Sequence, residues 1–171
     1  GRAMVKALGG KGTVAILHGS LTAQNLRDRL DGFREIVDQE AGIRVVALEE
    51  NRDDAALALS QAESLLQKYP ALGGFYGTSA PGAPAAVAAL RSRGLLGKVK
   101  VVGFDLDREN LKSIEQGWIT AIVEQRPAAM GELAVKWLQR LARGERPERK
   151  ILDTGVEVVT KANAPQAASL L

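Results

Sequence analysis

The sequence has no cysteine, one histidine and only 4% aromatic residues, and each shortage closes off a class of function. Without cysteine there is no disulfide framework, no thiolate metal site and no cysteine nucleophile, while the redox compartment stays open. A single histidine, His18, supplies no donor set for a dedicated transition-metal site. It ends an apolar segment and reads as a packed or singly bonded side chain. The aromatic residues are too few and too dispersed for a base-stacking platform. The formal charge of +3 is too small to argue for nucleic acid, and the densest basic run, Arg140–Lys150, carries Glu145 and Glu148. That run reads as a solvated helix end and loop. No apolar stretch approaches the ~20 residues of a membrane span.

What is present is a globular composition, 46% apolar and 25% charged over 171 residues, enough for one substantial core. Gly1–Leu8 has helical spacing and a stop in Gly9-Gly10, but no initiator methionine or capping residue. The expectation is a chain that begins inside an element of a longer parent, so the lack of a targeting segment carries no information.

From Gly12 onward, strand and helix patterns alternate with short loops. Strands are expected at Thr13–His18, Arg44–Leu48, Gly73–Gly77, within the stretch Lys98–Asp107 and at Trp118–Val123. The intervening helices run from about Thr22 to Gln39, from Asp53-Asp54 to Tyr69, from Pro81 to Arg93, and to Gln116. In the first of these, Leu26, Leu30, Phe33 and Val37 form one apolar stripe. Arg29 lies about 60° from the stripe and can lean over the sheet edge, whereas Arg27 points about 100° the other way. Strands and helices in this order predict an α/β fold built on a doubly wound parallel sheet.

The carboxyl edge of such a sheet is where ligands sit. It would display Ser20, Glu49, Ser79, Asp105 and Gln125, which are hydrogen-bonding groups with little nucleophilic capacity. Asp105 stands out, delivered by the buried-strand pattern Val101-Val102-Gly103-Phe104. Phe104-Asp105-Leu106-Asp107 resembles a haloacid-dehalogenase-type phosphatase motif, but Arg108 follows it in place of the small or hydroxyl residues that cradle phosphate. Ser20 lacks the flanking glycines of a nucleophile elbow. Gly9–Gly12 and Gly94–Gly97 lie between helix ends and following strands, so both are turns, not phosphate loops. No catalytic or metal-ligating residue, and no cofactor, is assigned. Arg29, Asp105 and Gln125 combine a guanidinium donor, a carboxylate acceptor and an amide that is both, the equipment for vicinal sugar hydroxyls. A plain Arg29–Asp105 ion pair would have the same spacing.

After Arg126-Pro127, a helix is expected to about Arg143, with Met130, Leu133, Ala134, Trp137, Leu138 and Leu141 on one wide apolar face. Ile151–Thr160 offers extended structure broken by Gly155, and the tail from Ala162 is expected to fray.

Lys11–Ser20, Asn25–Phe33, Leu66–Pro70, Phe75–Ala80, Val101–Asp105 and Val158–Lys161, taken in collinear order, resemble the sugar-binding type I periplasmic binding proteins, ribose-binding-protein-like. The resemblance implies that Arg29 donates to sugar hydroxyls, that Asp105 is the principal acceptor and that Gln125 is an amide contact. Ser79 falls where the family often has asparagine. Asp53 falls where ribose binders carry an aromatic platform, which favours another polyol or a platform supplied wholly by the other lobe. The resemblance further implies that residues 1–125 are the C-terminal lobe of a two-lobe protein. Residues 126–154 would be a crossover and helix of the missing first lobe, and residues 155–171 the return strand and tail.

The implied function is solute binding for a sugar ABC transporter, periplasmic or extracellular in the parent. Its partners would be a small sugar or polyol, a membrane permease, and the missing first lobe or a second copy of the chain. The alternatives are the effector domain of a lac-repressor-type regulator and a periplasmic sugar-sensor domain.

Overall fold

The computed structural model describes residues 1–149 and 151–170. Lys150, in the Arg140–Lys150 run, and Leu171 lie outside the described residues. The elements in order are α1 (Arg2–Leu8), β1 (Gly12–His18), α2 (Gln24–Val37), β2 (Ile43–Glu50), α3 (Ala55–Lys68), β3 (Gly74–Gly77), α4 (Gly82–Ser92), β4 (Lys100–Phe104), α5 (Arg108–Glu115), β5 (Ala121–Glu124), α6 (Pro127–Ala142), β6 (Glu157–Val159) and α7 (Ala164–Ala167). A short 3₁₀ turn, Ala168–Leu170, follows.

The strands form one sheet in the order β2-β1-β3-β4-β5-β6. The first four pairings are parallel and the last, β5 with β6, is antiparallel. The order reverses direction at β1, beside which a crevice opens at the carboxyl ends of β1 and β3.

Alternation along the buried strands sends neighbouring side chains to opposite faces. Val14 and Ile16 of β1 join Met4, Phe33 and Val37 beneath α1 and α2, where Phe33 stacks on Tyr76 with ring centres 3.9 Å apart. Ala15 and Leu17 turn the other way and pack with Leu65, Phe75, Leu90 and Ile114 beneath α3, α4 and α5. The apolar stripe of α2 faces the sheet, with Leu26, Phe33 and Val37 buried. Caps mark two helix starts: Asp54 accepts from the Leu57 amide and Asp107 from the Asn110 amide.

Two expectations are corrected by packing. The tail does not fray at α7, where Ala164 and Ala167 are almost completely buried against the α5 side of the core. Their small side chains let a one-turn helix dock closely, which composition alone does not signal. Of the extended run 151–160, only Glu157–Val159 is strand. Helix α6 has no buried residue; its apolar face borders an open groove that it shares with Pro147, Leu152 and Thr154, and no strand or other helix among the described residues covers it.

Candidate functional site

Helix α2 places Asn25 and Arg29 one turn apart, on the side that overhangs the carboxyl end of the sheet. Arg29 is restrained from several directions. Its Nη1 donates to the Thr78 carbonyl at 2.9 Å, and its guanidinium lies 4.2 Å from the centre of the Phe104 ring. The Tyr76 hydroxyl donates to the Arg29 carbonyl at 3.1 Å. Burial pushes the Tyr76 phenol well above its usual range, against the opposing pull of the Arg29 charge, so it stays a neutral donor.

Asp105 follows β4 with a left-handed backbone, φ 67°, which a non-glycine residue adopts rarely. The surroundings hold it there. The Asp105 amide donates to the Val123 carbonyl at 3.1 Å, and buried Asn110 donates from Nδ2 to the Asp105 carbonyl at 3.2 Å. The effect is to aim the carboxylate across the crevice instead of along the strand. Gln125 donates from Nε2 to Asp105 Oδ1 at 2.7 Å. Oδ2 stands 3.9 Å from Arg29 Nη1, and the Asp105 side chain keeps 37% of its exposure. At that distance and exposure the ion pair contributes about 0–1 kcal/mol, so stability alone does not explain the arrangement.

Glu124, one residue before Gln125, points to the other face of the sheet and accepts from the Leu106 amide. Burial raises its carboxyl above the usual range; the Leu106 N–H opposes this and the nearby Asp105 charge adds to it. Asp107, the second acid of the Phe-Asp-Leu-Asp run, caps α5. The two aspartates therefore serve different ends of one loop, Asp105 at the crevice and Asp107 at the start of α5.

His18 is fully buried and makes two bonds: Nε2 donates to the Ser20 carbonyl at 2.9 Å and Nδ1 accepts from the Thr78 hydroxyl at 3.0 Å. The Gly19 amide donates to Thr78 Oγ1 at 3.1 Å, which ties β1 to β3 where the crevice begins. Gly77 and Gly82 let α4 press onto β3, since a Cβ on Gly82 would lie 2.6 Å from the Gly77 Cα. That contact fixes the turn carrying Ser79.

These elements enclose an open cavity of about 540 Å³. Arg29, Asp53, Ser79, Asp105 and Gln125 all line it, so the five residues singled out in the sequence share one crevice. Glu49, expected at the same edge, does not. Strand β2 runs on to Glu50, and Glu49 turns instead toward Gln61 and Lys68 of α3. Glu50 accepts from the Leu21 amide at 2.7 Å. Ser20 bonds Thr22 in the β1–α2 turn and is not among the lining residues. Asn25 lines the cavity without having been singled out; its place four residues before Arg29 is the signal that would have found it.

A family model described as periplasmic binding protein domain matches residues 1–146. The chain is 29% identical over 150 residues to the D-ribose/D-allose-binding protein of Pseudomonas aeruginosa, covering 86% of this chain and 47% of that protein. It is 32% identical over 172 residues to the D-apiose import binding protein of Paraburkholderia graminis, covering 96% and 53%. Among solved structures, GanP, a glucose-galactose binding protein from Geobacillus stearothermophilus, superposes with a TM-score of 0.92 at 36% identity, over 96% of this chain and 58% of that one. The chain spans about half the length of the curated relatives it matches.

Proposed function

The chain belongs to the periplasmic binding protein domain family, and from that premise we propose that its crevice is half of a sugar site, contributed by one lobe of a solute-binding protein for an ABC importer. The observation that carries this reading is the Arg29–Asp105–Gln125 cluster. Arg29 is held rigid by Thr78 and Phe104 while Asp105 is turned into the crevice by its left-handed backbone. A donor fork beside an acceptor whose second oxygen is unoccupied matches the paired donor and acceptor demand of adjacent hydroxyls. Thr78, Phe104 and Gln125 restrain these side chains, so the fold itself supplies part of the ordering that binding requires. The chemistry needed is hydrogen bonding, with no catalytic group, cofactor or nucleic acid involved.

Residues 1–125 are then the C-terminal lobe, 126–154 the crossover and helix that pack into a first lobe, and 155–171 the return to this sheet. The unburied α6 and the pairing of β6 with β5 support that division. The partners would be a small sugar or polyol, the membrane permease and the first lobe, in a parent working in the periplasm or outside the cell. The relatives' names, import and binding proteins, support transport over the regulator and sensor alternatives.

Thermal unfolding of the two-lobe parent with D-ribose, D-allose and D-galactose tests the reading. A sugar at 100 times its dissociation constant stabilises the folded state by ~2.7 kcal/mol. The shift should vanish in Asp105→Ala. No shift with any sugar at saturating concentration would overturn the reading.

A further inference from the structure

The charges around the crevice do not balance. Its lining includes two carboxylates, Asp53 and Asp105, and one guanidinium, Arg29, which already faces Asp105 and bonds the Thr78 carbonyl. The Asp53 carboxylate makes no ion pair or hydrogen bond among the described residues; only its backbone amide is engaged, donating to Asn51 Oδ1 at 2.9 Å. Its position is nevertheless built. Arg52 and Asp53 both take left-handed backbone, φ 55° and 58°, in a turn pinned by fully buried Asn51, whose amide donates to the His18 carbonyl at 2.7 Å.

Across from it, Ser79 is 94% buried (6% exposed), and its hydroxyl has no partner. Gly19 lies between them: a Cβ there would fall 2.6 Å from Ser79 Oγ and closer still to Asp53 Oδ1. The two oxygens therefore flank a notch open only because Gly19 has no side chain. Among the described residues no aromatic ring lines the crevice, Phe104 being covered by Arg29, so discrimination here falls to the polar groups.

We propose that Asp53 makes this crevice charge-selective. It admits polyhydroxy ligands that are neutral or carry an ammonium group, and it excludes those carrying a carboxylate or phosphate. The proposal rests on the sugar-binding reading above and adds the charge class of the sugar. Hydroxyl or ammonium donors satisfy the Asp53 oxygens, whereas an anion meets, at the exposed rim of the crevice, a negative charge that no described residue pairs. The amino end of α4, beside Ser79, would favour an anion on its own, but its half-charge is outweighed by the full charge of Asp53, which Arg29, facing Asp105, does not pair.

The test uses the whole chain and follows the amide resonances of the crevice by NMR. Neutral D-galactose and D-ribose are compared with D-galacturonate, ribose 5-phosphate and D-galactosamine. D-galacturonate should bind at least about tenfold more weakly than D-galactose, and ribose 5-phosphate at least about tenfold more weakly than D-ribose. D-galactosamine should bind at least as well as D-galactose. Asp53→Asn should narrow the gap between each anion and its neutral counterpart to about two- to threefold, and asparagine suits the left-handed backbone, so the fold should survive. Anions binding the unaltered chain as tightly as the neutral sugars, or a gap that persists in Asp53→Asn, would overturn the proposal. If no neutral sugar moves a crevice resonance, the sugar-binding reading itself fails and this proposal falls with it.

Discussion

Gln125 reaches from the end of β5 to donate a 2.7 Å hydrogen bond to Asp105, which receives it from a left-handed backbone at φ 67°. Two residues twenty positions apart are thereby fixed on one wall of the crevice, and the Asp105 oxygen left free faces Arg29. Strain of this kind costs about 1–3 kcal/mol and persists where the surroundings over-determine it.

Replacing Asp105 should separate that strain from binding. Asp105→Ala puts a Cβ in left-handed backbone without the polar side chain that eases it, so it should lower stability by about 1–2 kcal/mol. Asp105→Gly should be at least as stable as the unaltered chain. Both should lose sugar affinity, because ligand hydroxyls are left without their acceptor. Urea denaturation with calorimetric titration reads both quantities. Retained affinity in Asp105→Gly would make this residue structural only.

Glu124 predicts a pH dependence. Its folded-state carboxyl is raised, by burial first and by the Asp105 charge, so the folded state holds a proton that the unfolded chain releases near pH 4.3. Stability from this group is therefore present at low pH and lost as pH rises through the folded-state value. Glu124→Gln keeps an acceptor for the Leu106 amide and removes the titration, so its stability should decline less between about pH 4 and neutrality. Denaturant midpoints across that interval check this; identical slopes would remove Glu124 as the cause.

Helix α6 should behave as a surface that awaits a partner. Val135 and Leu138 are 55% and 65% exposed, so Val135→Lys and Leu138→Lys should each change stability by less than about 0.5 kcal/mol. Both should reduce concentration-dependent association, measured by light scattering. A loss above about 2 kcal/mol would mean that the helix packs on its own sheet in solution.

Much of this arrangement was legible in the sequence because the buried elements follow strict periods. Two-residue alternation and the α2 stripe placed β1 and α2, and the strand ends delivered Ser79, Asp105 and Gln125 to one edge. What the periods could not show is backbone conformation and small-residue packing. Nothing in Phe104-Asp105-Leu106 announces a left-handed aspartate. The one-turn helix Ala164–Ala167 is held by tertiary contact, not by propensity. Glu49 was misplaced because β2 continues two residues beyond Leu48, which turns it away from the crevice.

The most direct measurement is an NMR map of the chain at saturating sugar, with the neutral aldose that gives the largest thermal shift. Amides of Asp53, Ser79, Asp105 and Gln125, together with the Arg29 guanidinium, should shift in concert with a single dissociation constant, while those of α6 stay in place. Shifts centred on α6 or in the groove between α4 and α5, with the crevice unmoved, would contradict the assignment of this crevice as the sugar site.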